Sequence, residues 1–244
     1  MSSVVIVIPI FQEKLRVFER VSLSGCMEVL GKRPVYVIAP ERLDLSEALG
    51  VFADKVKVIR FDPGYFRSIS DYNRLMISPD FYAAFDSYEF MLLYQLDAFV
   101  FEDKLDYWCR KGFDYIGAPA FNAEGFEELP REQADVYARA LSTHRLVFNG
   151  GLSLRKISAI KRLLRIYNIF YPFWKGNEDM LFSLDSTRLL FLKPFMKLPN
   201  WQEALSFSFE RSPAASYELQ REKLPFGCHA WQRYDPAFWS EFIG

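Results

Sequence analysis

Three acidic residues, an imidazole and a pair of glycines are the residues of this chain whose types and settings suit chemistry. Asp97 follows an apolar, β-forming run, Phe90-Met91-Leu92-Leu93-Tyr94, and apolar chain resumes at Phe99-Val100-Phe101. An ionised carboxylate in that setting costs several kcal/mol unless a cation or hydrogen-bond donors meet it. As a hard oxygen ligand it suits Mn²⁺ or Mg²⁺. His229, in Pro225-Phe226-Gly227-Cys228-His229-Ala230-Trp231, carries an imidazole that is an acceptable Mn²⁺ ligand when neutral, although a lone histidine also serves well as a structural residue beside Trp231. Glu178-Asp179 are adjacent acids at a helix start, where the helix dipole favours each by roughly 0.3 to 1 kcal/mol without any chemistry. Gly150-Gly151 lack a Cβ and so permit close approach to the backbone, while Asn149-Gly150 by itself is a hairpin signal.

The elements that position these residues follow from pattern. Tyr88 to Asp103 reads as a buried central strand bounded by Glu89 and Glu102-Asp103, with Asp97 towards its carboxyl end. In an open α/β sheet, ligands lie beyond the carboxyl ends of the strands. Val4 to Ile10 reads as an inner parallel strand punctuated by Pro9, and Leu15 to Leu30 as a helix closed by Gly31. Further strands are expected at Pro34 to Ala39 and Lys55 to Phe61, so the first part is a βαβ alternation with a parallel sheet. Ser70-Asp71 caps a helix bearing Tyr72, Arg74, Leu75 and Met76, interrupted by Pro79. Lys104 to Arg110 is a short helix ended by Gly112, and Phe113 to Gly117 a short strand. Asn122 to Gln133 reads as an acidic surface excursion. Leu146 to Leu154 reads as strand, Asn-Gly-Gly, strand, followed by a basic amphipathic helix from Arg155 to Asn168. Tyr171, Phe173 and Trp174 form an aromatic loop suited to a sugar platform, and beyond Leu189 the pattern is weak, anchored by Trp201, Trp231 and Trp239.

Tyr72-Asn73-Arg74-Leu75, the phrase YQLDAFVF and the following Leu105-Asp106-Tyr107-Trp108 resemble the GT-A glycosyltransferase pattern of the glycogenin and bacterial galactosyltransferase type. The whole chain also resembles a family of glycosyltransferase-like domains, mainly bacterial, through YQLDAFVF, NGGLSLR, NEDM and PFGCHAW. The resemblance implies a GT-A-like α/β fold: a mixed, mostly parallel sheet flanked by helices. It implies one domain, with residues 1–117 as nucleotide-binding half and 118–244 as acceptor-binding half. It also implies a transferase, a hexosyltransferase in particular, that moves a sugar from a nucleoside diphosphate sugar to a carbohydrate or glycolipid acceptor in bacterial surface polysaccharide or lipopolysaccharide synthesis. By the same resemblance Asp97 and His229 hold Mn²⁺ or Mg²⁺, Tyr171 and Trp174 meet the acceptor, and Asp179 with Glu178 is the catalytic pair of an inverting enzyme, although the glycogenin-like pattern upstream belongs to retaining enzymes and leaves the stereochemistry open. Pro9, Phe11, Glu13, Arg74, Asp97, Gly150 and Gly151 meet the nucleotide or donor sugar. Arg145 and Arg155 are reserve cations, and His144 is structural. The pattern departs at Phe99, where the second aspartate of Asp-x-Asp is expected. That departure raises a non-catalytic nucleotide- or sugar-binding domain with a decayed metal site as the alternative. A nucleotidyltransferase should carry a glycine-rich loop after the first strand, and Ile8-Pro9-Ile10-Phe11-Gln12-Glu13 has none.

Composition sets the outer bounds. The 244 residues are 50% hydrophobic, 25% charged and 17% aromatic, enough for a substantial core. A net charge of −1 does not suit a nucleic-acid polymer as partner, since phosphate backbones select basic surfaces. Cys26, Cys109 and Cys228 read as reduced thiols of a cytoplasmic protein. The apolar start lacks a basic region and meets Pro9 too early for a leader, and no run reaches about 18 apolar residues, so any membrane contact is expected to be peripheral, at the inner face.

Overall fold

The computed structural model describes residues 3–120, 147–170, 177–186 and 196–243. A six-stranded sheet, ordered β3-β2-β1-β4-β7-β6, forms its centre. Strands β1 (Val4–Pro9), β2 (Val35–Pro40), β3 (Lys57–Phe61) and β4 (Phe90–Tyr94) run parallel, while β7 (Phe148–Lys156) lies antiparallel between β4 and β6 (Tyr115–Pro119). The expected mixed, mostly parallel sheet is therefore observed. Strands β1 and β4 are buried throughout because β-branched and large apolar residues fill both faces, as helices covering a parallel sheet require. On one face pack helix α1 (Val17–Leu30) and Trp108; on the other pack Phe81, Tyr82 and Phe85 with the helix Ile157–Phe170.

The second half of the expected central strand goes elsewhere. After Tyr94 the chain turns through Gln95-Leu96-Asp97, with the Ala98 amide donating to the Gln95 carbonyl at 2.9 Å, and continues as β5 (Ala98–Val100) in a separate three-stranded sheet, β5-β9-β8. The Tyr94 hydroxyl fixes this turn, lying 2.8 Å from the Ala98 carbonyl oxygen and 2.9 Å from that of Ser22 on α1. There β5 pairs antiparallel with the short strand β9 (Gly227–His229), which pairs parallel with β8 (Ser208–Phe209) on its other side; both come from the region whose pattern was too weak to read.

Three further expectations are corrected. Asn149-Gly150-Gly151 is no hairpin: β7 runs straight through it, with an irregularity opposite Gly117 and Pro119. The basic helix begins at Ile157 and not at Arg155, so Arg155 and Lys156 belong to β7, and Arg155 is fully buried. The helix Ile69–Met76 is capped by Ser68, whose hydroxyl accepts from the Asp71 amide at 3.1 Å, two residues before the expected cap. The expected excursion at 122–133 lies outside the described residues, and among those described no helix is long and apolar enough to cross a membrane.

Phe99 projects away from the turn at Asp97. Its ring occupies the space a Cβ on Gly25 of α1 would need and meets Phe101 at 5.5 Å between centroids. Replacing Gly25 with Ala gains helix propensity of about 1 kcal/mol but overpacks this contact by about 1–3 kcal/mol. Gly25→Ala is therefore expected to lower stability slightly and Gly25→Ala/Phe99→Leu to recover it; equal, additive losses in urea unfolding would refute the contact.

Candidate functional site

The two sheets meet where the imidazole of His229, the last residue of β9, lies over Gly151 of β7. A Cβ on Gly151 would fall within the ring, so only glycine leaves His229 this place. Gly151 also fixes the turn out of β4, its carbonyl accepting from the Gln95 amide at 2.8 Å. Ala98 is the register partner of His229, and this pairing sets Asp97 beside the ring. His229 Nε2 is 3.1 Å from Asp97 Oδ1 and 3.4 Å from Gln95 Oε1, while Nδ1 is 3.4 Å from Oε1 of Glu210, the residue after β8.

Electrostatics follow from these neighbours. Burial alone would lower the pKa of His229, but the carboxylates of Asp97 and Glu210 outweigh it and push it up to about 10 in the metal-free chain. Burial would raise the pKa of Asp97, yet His229, with a smaller contribution from Arg16, holds it below the ordinary carboxylate value. Asp97 Oδ1 is nonetheless buried without an aligned hydrogen-bond donor, so its contact with Nε2 is one of charge. Ligands about 2.1 Å from a divalent ion and at right angles to each other stand about 3 Å apart. The 3.1 Å separation of Asp97 Oδ1 and His229 Nε2 has that spacing, and the orphaned oxygen has the chemistry, so these two residues fit a shared cation. Among the described residues no three His, Cys, Asp or Glu side chains form a complete metal cage. Further ligands would come from bound phosphate oxygens and water.

Glu178 and Asp179, one residue apart, face different partners. Glu178 Oε1 is 3.1 Å from the guanidinium of fully buried Arg155, and the Glu178 amide donates to Asn73 Oδ1 at 3.0 Å. Arg155 also donates to the Tyr82 hydroxyl at 2.9 Å and the Gly150 carbonyl at 3.2 Å, and its guanidinium lies 5.7 and 5.5 Å from the adjacent rings of Tyr115 and Phe182. A Cβ on Gly150 would collide with Glu178, so the space left by this glycine, like that at Gly151, is filled by the chain's own side chain. Among the described residues no cation pairs directly with Asp179, and burial followed by the charge of Glu178 raises its pKa from 3.8 to about 6; Glu210 adds to the effect and the more distant Arg155 offsets part of it.

The remaining anticipated positions are more dispersed. Pro9 is buried as the last residue of β1, opposite Ile38, whereas Phe11 and Glu13 are exposed beyond it. Arg74 points outward, paired with Asp71 at 3.3 Å and lying over Tyr65. From the same helix Asn73 and Tyr72 turn inward; the Tyr72 hydroxyl is buried with no aligned partner, within electrostatic reach of Glu178 and Arg155. Tyr171, Trp174, His144 and Arg145 lie outside the described residues. Sequence reasoning missed Glu210, Asn149 and Gln95. The first carried a usable signal, an acid closing the apolar β-like stretch Leu205-Ser206-Phe207-Ser208-Phe209, the same context that exposed Asp97.

A family model described as "Protein of unknown function (DUF5672)" matches residues 55–229. No curated protein matches the chain in sequence. Among solved structures it resembles mouse xyloside xylosyltransferase 1 in its apo form, at 12% identity and TM-score 0.55, covering 92% of this chain and 96% of the other. It also resembles the galactosyltransferase LgtC in complex with donor and acceptor sugar analogues, at 14% identity and TM-score 0.54, covering 98% and 93%. The apo glycosyltransferase GlyE of Streptococcus pneumoniae TIGR4 matches at 13% identity and TM-score 0.53 over 99% of this chain and 60% of its own. These likenesses establish the GT-A fold.

Breaking the Arg155–Glu178 pair from one side leaves a buried charge, which costs about 3–5 kcal/mol, whereas removing both partners costs much less. Arg155→Met should accordingly be destabilised by that amount in chemical denaturation, and Arg155→Met/Glu178→Gln by less than the single variant. A double variant that unfolds as easily as the sum of its singles would refute the pairing.

Proposed function

We propose that this chain, which belongs to the family described as "Protein of unknown function (DUF5672)", is a glycosyltransferase that moves a sugar from a nucleoside diphosphate sugar to a hydroxyl of a carbohydrate or lipid-linked acceptor. The observation that carries the reading is the Asp97–His229 pair, 3.1 Å apart beyond the carboxyl end of β4, with one buried carboxylate oxygen left unmatched. The GT-A fold supports it. In this reading the two halves of one domain, 1–117 and 118–244, hold nucleotide and acceptor respectively.

Transfer breaks the bond between the anomeric carbon and the diphosphate oxygen, whose electron pair leaves with the diphosphate. A Mn²⁺ or Mg²⁺ ion at Asp97 and His229 would act as the Lewis acid that stabilises this leaving group. Asp179 accepts the proton of the acceptor hydroxyl, whose oxygen forms the new bond to the anomeric carbon. Its raised pKa suits the task, because a base is most effective when it titrates near the working pH. Glu178 keeps that value raised and, being bound to Arg155, stays in place. A single displacement with Asp179 as base inverts the anomeric configuration. We place the reaction in bacterial surface polysaccharide or lipopolysaccharide assembly, with a hexose as the transferred sugar and the cytoplasmic face of the membrane as its location. The apolar packing of Phe99 supports a second reading, a binding domain whose metal site has decayed.

Hydrolysis or transfer assayed over a panel of nucleotide sugars, with Mn²⁺ and with chelator, separates the two: turnover of at least one donor, lost with chelator and in Asp97→Ala, is expected. Nucleotide binding without turnover of any donor, unaffected by metal, would instead establish the binding domain. Asp179→Asn should lower kcat by about 10²–10⁴, the usual contribution of a positioned base. In the wild type kcat/KM should fall tenfold per pH unit below about 6, where Asp179 gains its proton, and be level above it. A flat profile, or a wild-type rate in Asp179→Asn, rules out this base.

A further inference from the structure

We infer that Glu210 is a positioning residue which decides which nitrogen of His229 faces Asp97; the inference rests on the reading that Asp97 and His229 share a divalent cation. Glu210 is 8% exposed, and its Oε1 lies 3.4 Å from His229 Nδ1. On the opposite edge of the ring, Nε2 stands 3.1 Å from Asp97 Oδ1. An imidazole binds a cation through the lone pair of one nitrogen while the other keeps its proton, and the partner of that N–H fixes both the tautomer and the plane of the ring. A carboxylate at Nδ1 accepts its N–H and leaves the Nε2 lone pair directed at Asp97. Glu210 itself is beyond the far edge of the ring, so it does not ligate the same ion.

The holder is itself held. Asn149 Nδ2 donates to Glu210 Oε1 at 3.0 Å, and Asn149 Oδ1 accepts from the Gly151 amide at 2.7 Å. The Asn-Gly-Gly stretch thus contributes at two points: Gly151 vacates the space the ring occupies, and Asn149 steadies the carboxylate that orients it. Without Glu210 the proton can move to Nε2, closing the lone pair that faces Asp97, or the ring can turn about its Cβ–Cγ bond and bring Cε1 to the place of Nε2.

The test is Mn²⁺ affinity, measured from the free-ion paramagnetic resonance signal on the full chain, with circular dichroism and thermal unfolding in parallel. Wild type should bind Mn²⁺ and Asp97→Ala should not. Glu210→Ala should bind about 10–100-fold more weakly, the range for loss of such an outer partner, while Glu210→Gln, which keeps an acceptor oxygen, should stay within about fivefold of wild type. A merely structural residue would lower the unfolding temperature and leave the Mn²⁺ affinity of the folded protein unchanged. If Glu210→Ala does not fold, Asn149→Ala takes its place and should weaken Mn²⁺ by about 3–10-fold. Loss of binding in Asp97→Ala with unchanged affinity in Glu210→Ala, or in Asn149→Ala where that variant replaces it, overturns the role of Glu210 alone. No binding by wild type, or binding indifferent to Asp97→Ala, overturns the metal reading beneath it.

Discussion

The structure depends on one steric fact: the imidazole of His229 rests on a strand position that has no side chain. Antiparallel β7 lies beside β4 in the large sheet, and β9 of the small sheet is laid against it at Gly151. That crossing is the point at which chain from the two ends of the sequence meets. Asp97 arrives from the turn that leaves the large sheet, His229 from the small sheet, and Glu210 from the end of β8. Any larger residue at Gly151 would separate the sheets and with them the two carboxylates that flank the ring.

The same β7 strand distributes charge unequally between two adjacent acids. Arg155 is fully buried, and its guanidinium is met by Glu178, the Tyr82 hydroxyl and the Gly150 carbonyl. A buried ion pair of this kind contributes little net stability, since desolvation offsets attraction; its effect is to hold Glu178 in one place. Asp179 then feels partial burial and the charge of Glu178, with no cation paired to it among the described residues. A raised carboxyl pKa implies that ionising Asp179 at neutral pH costs stability of the order of 2–3 kcal/mol, present below about pH 4 and lost as pH rises through 6. On the proposed function, that cost is the consequence of keeping a carboxyl group ready for proton transfer.

Much of this was legible in the sequence. The parallel half could be read because β-branched runs such as Val4-Val5-Ile6-Val7-Ile8 signal buried strands and Gly112 marks a helix end, with φ of 66° as such an end requires. Asp97 was found by the cost of an acid among apolar neighbours. The change of sheet after Tyr94 was hidden, because β4 and β5 are both apolar and no residue type distinguishes one sheet from another. β8 and β9, two and three residues long, are too short to show a period. Arg155 was misread as the start of an amphipathic helix because the helical spacing of Ile157, Ile160, Leu163 and Leu164 begins directly after it and no turn residue separates strand from helix. Arg74 illustrates a different limit: a motif names a helix but not its rotation, and here Tyr72 and Asn73 face inward while Arg74 meets Asp71.

Phe99 bears on how such a site would assemble. A second carboxylate here would give the protein a third ligand of its own, but the ring at this position is packed against α1, which on the proposed function leaves Asp97 and His229 as the two protein ligands. Hard cations such as Mg²⁺ give up water reluctantly and bind well when substrate phosphates complete their shell. On the proposed function, cation and nucleotide donor therefore strengthen each other's binding, by the reciprocity that linkage demands. The protein's part is then orientation more than affinity: a ring nitrogen and a carboxylate oxygen kept about 3 Å apart by the strands beneath them. That division of labour makes the rigidity of the Gly151 crossing, and not the number of ligands, the property on which the site depends.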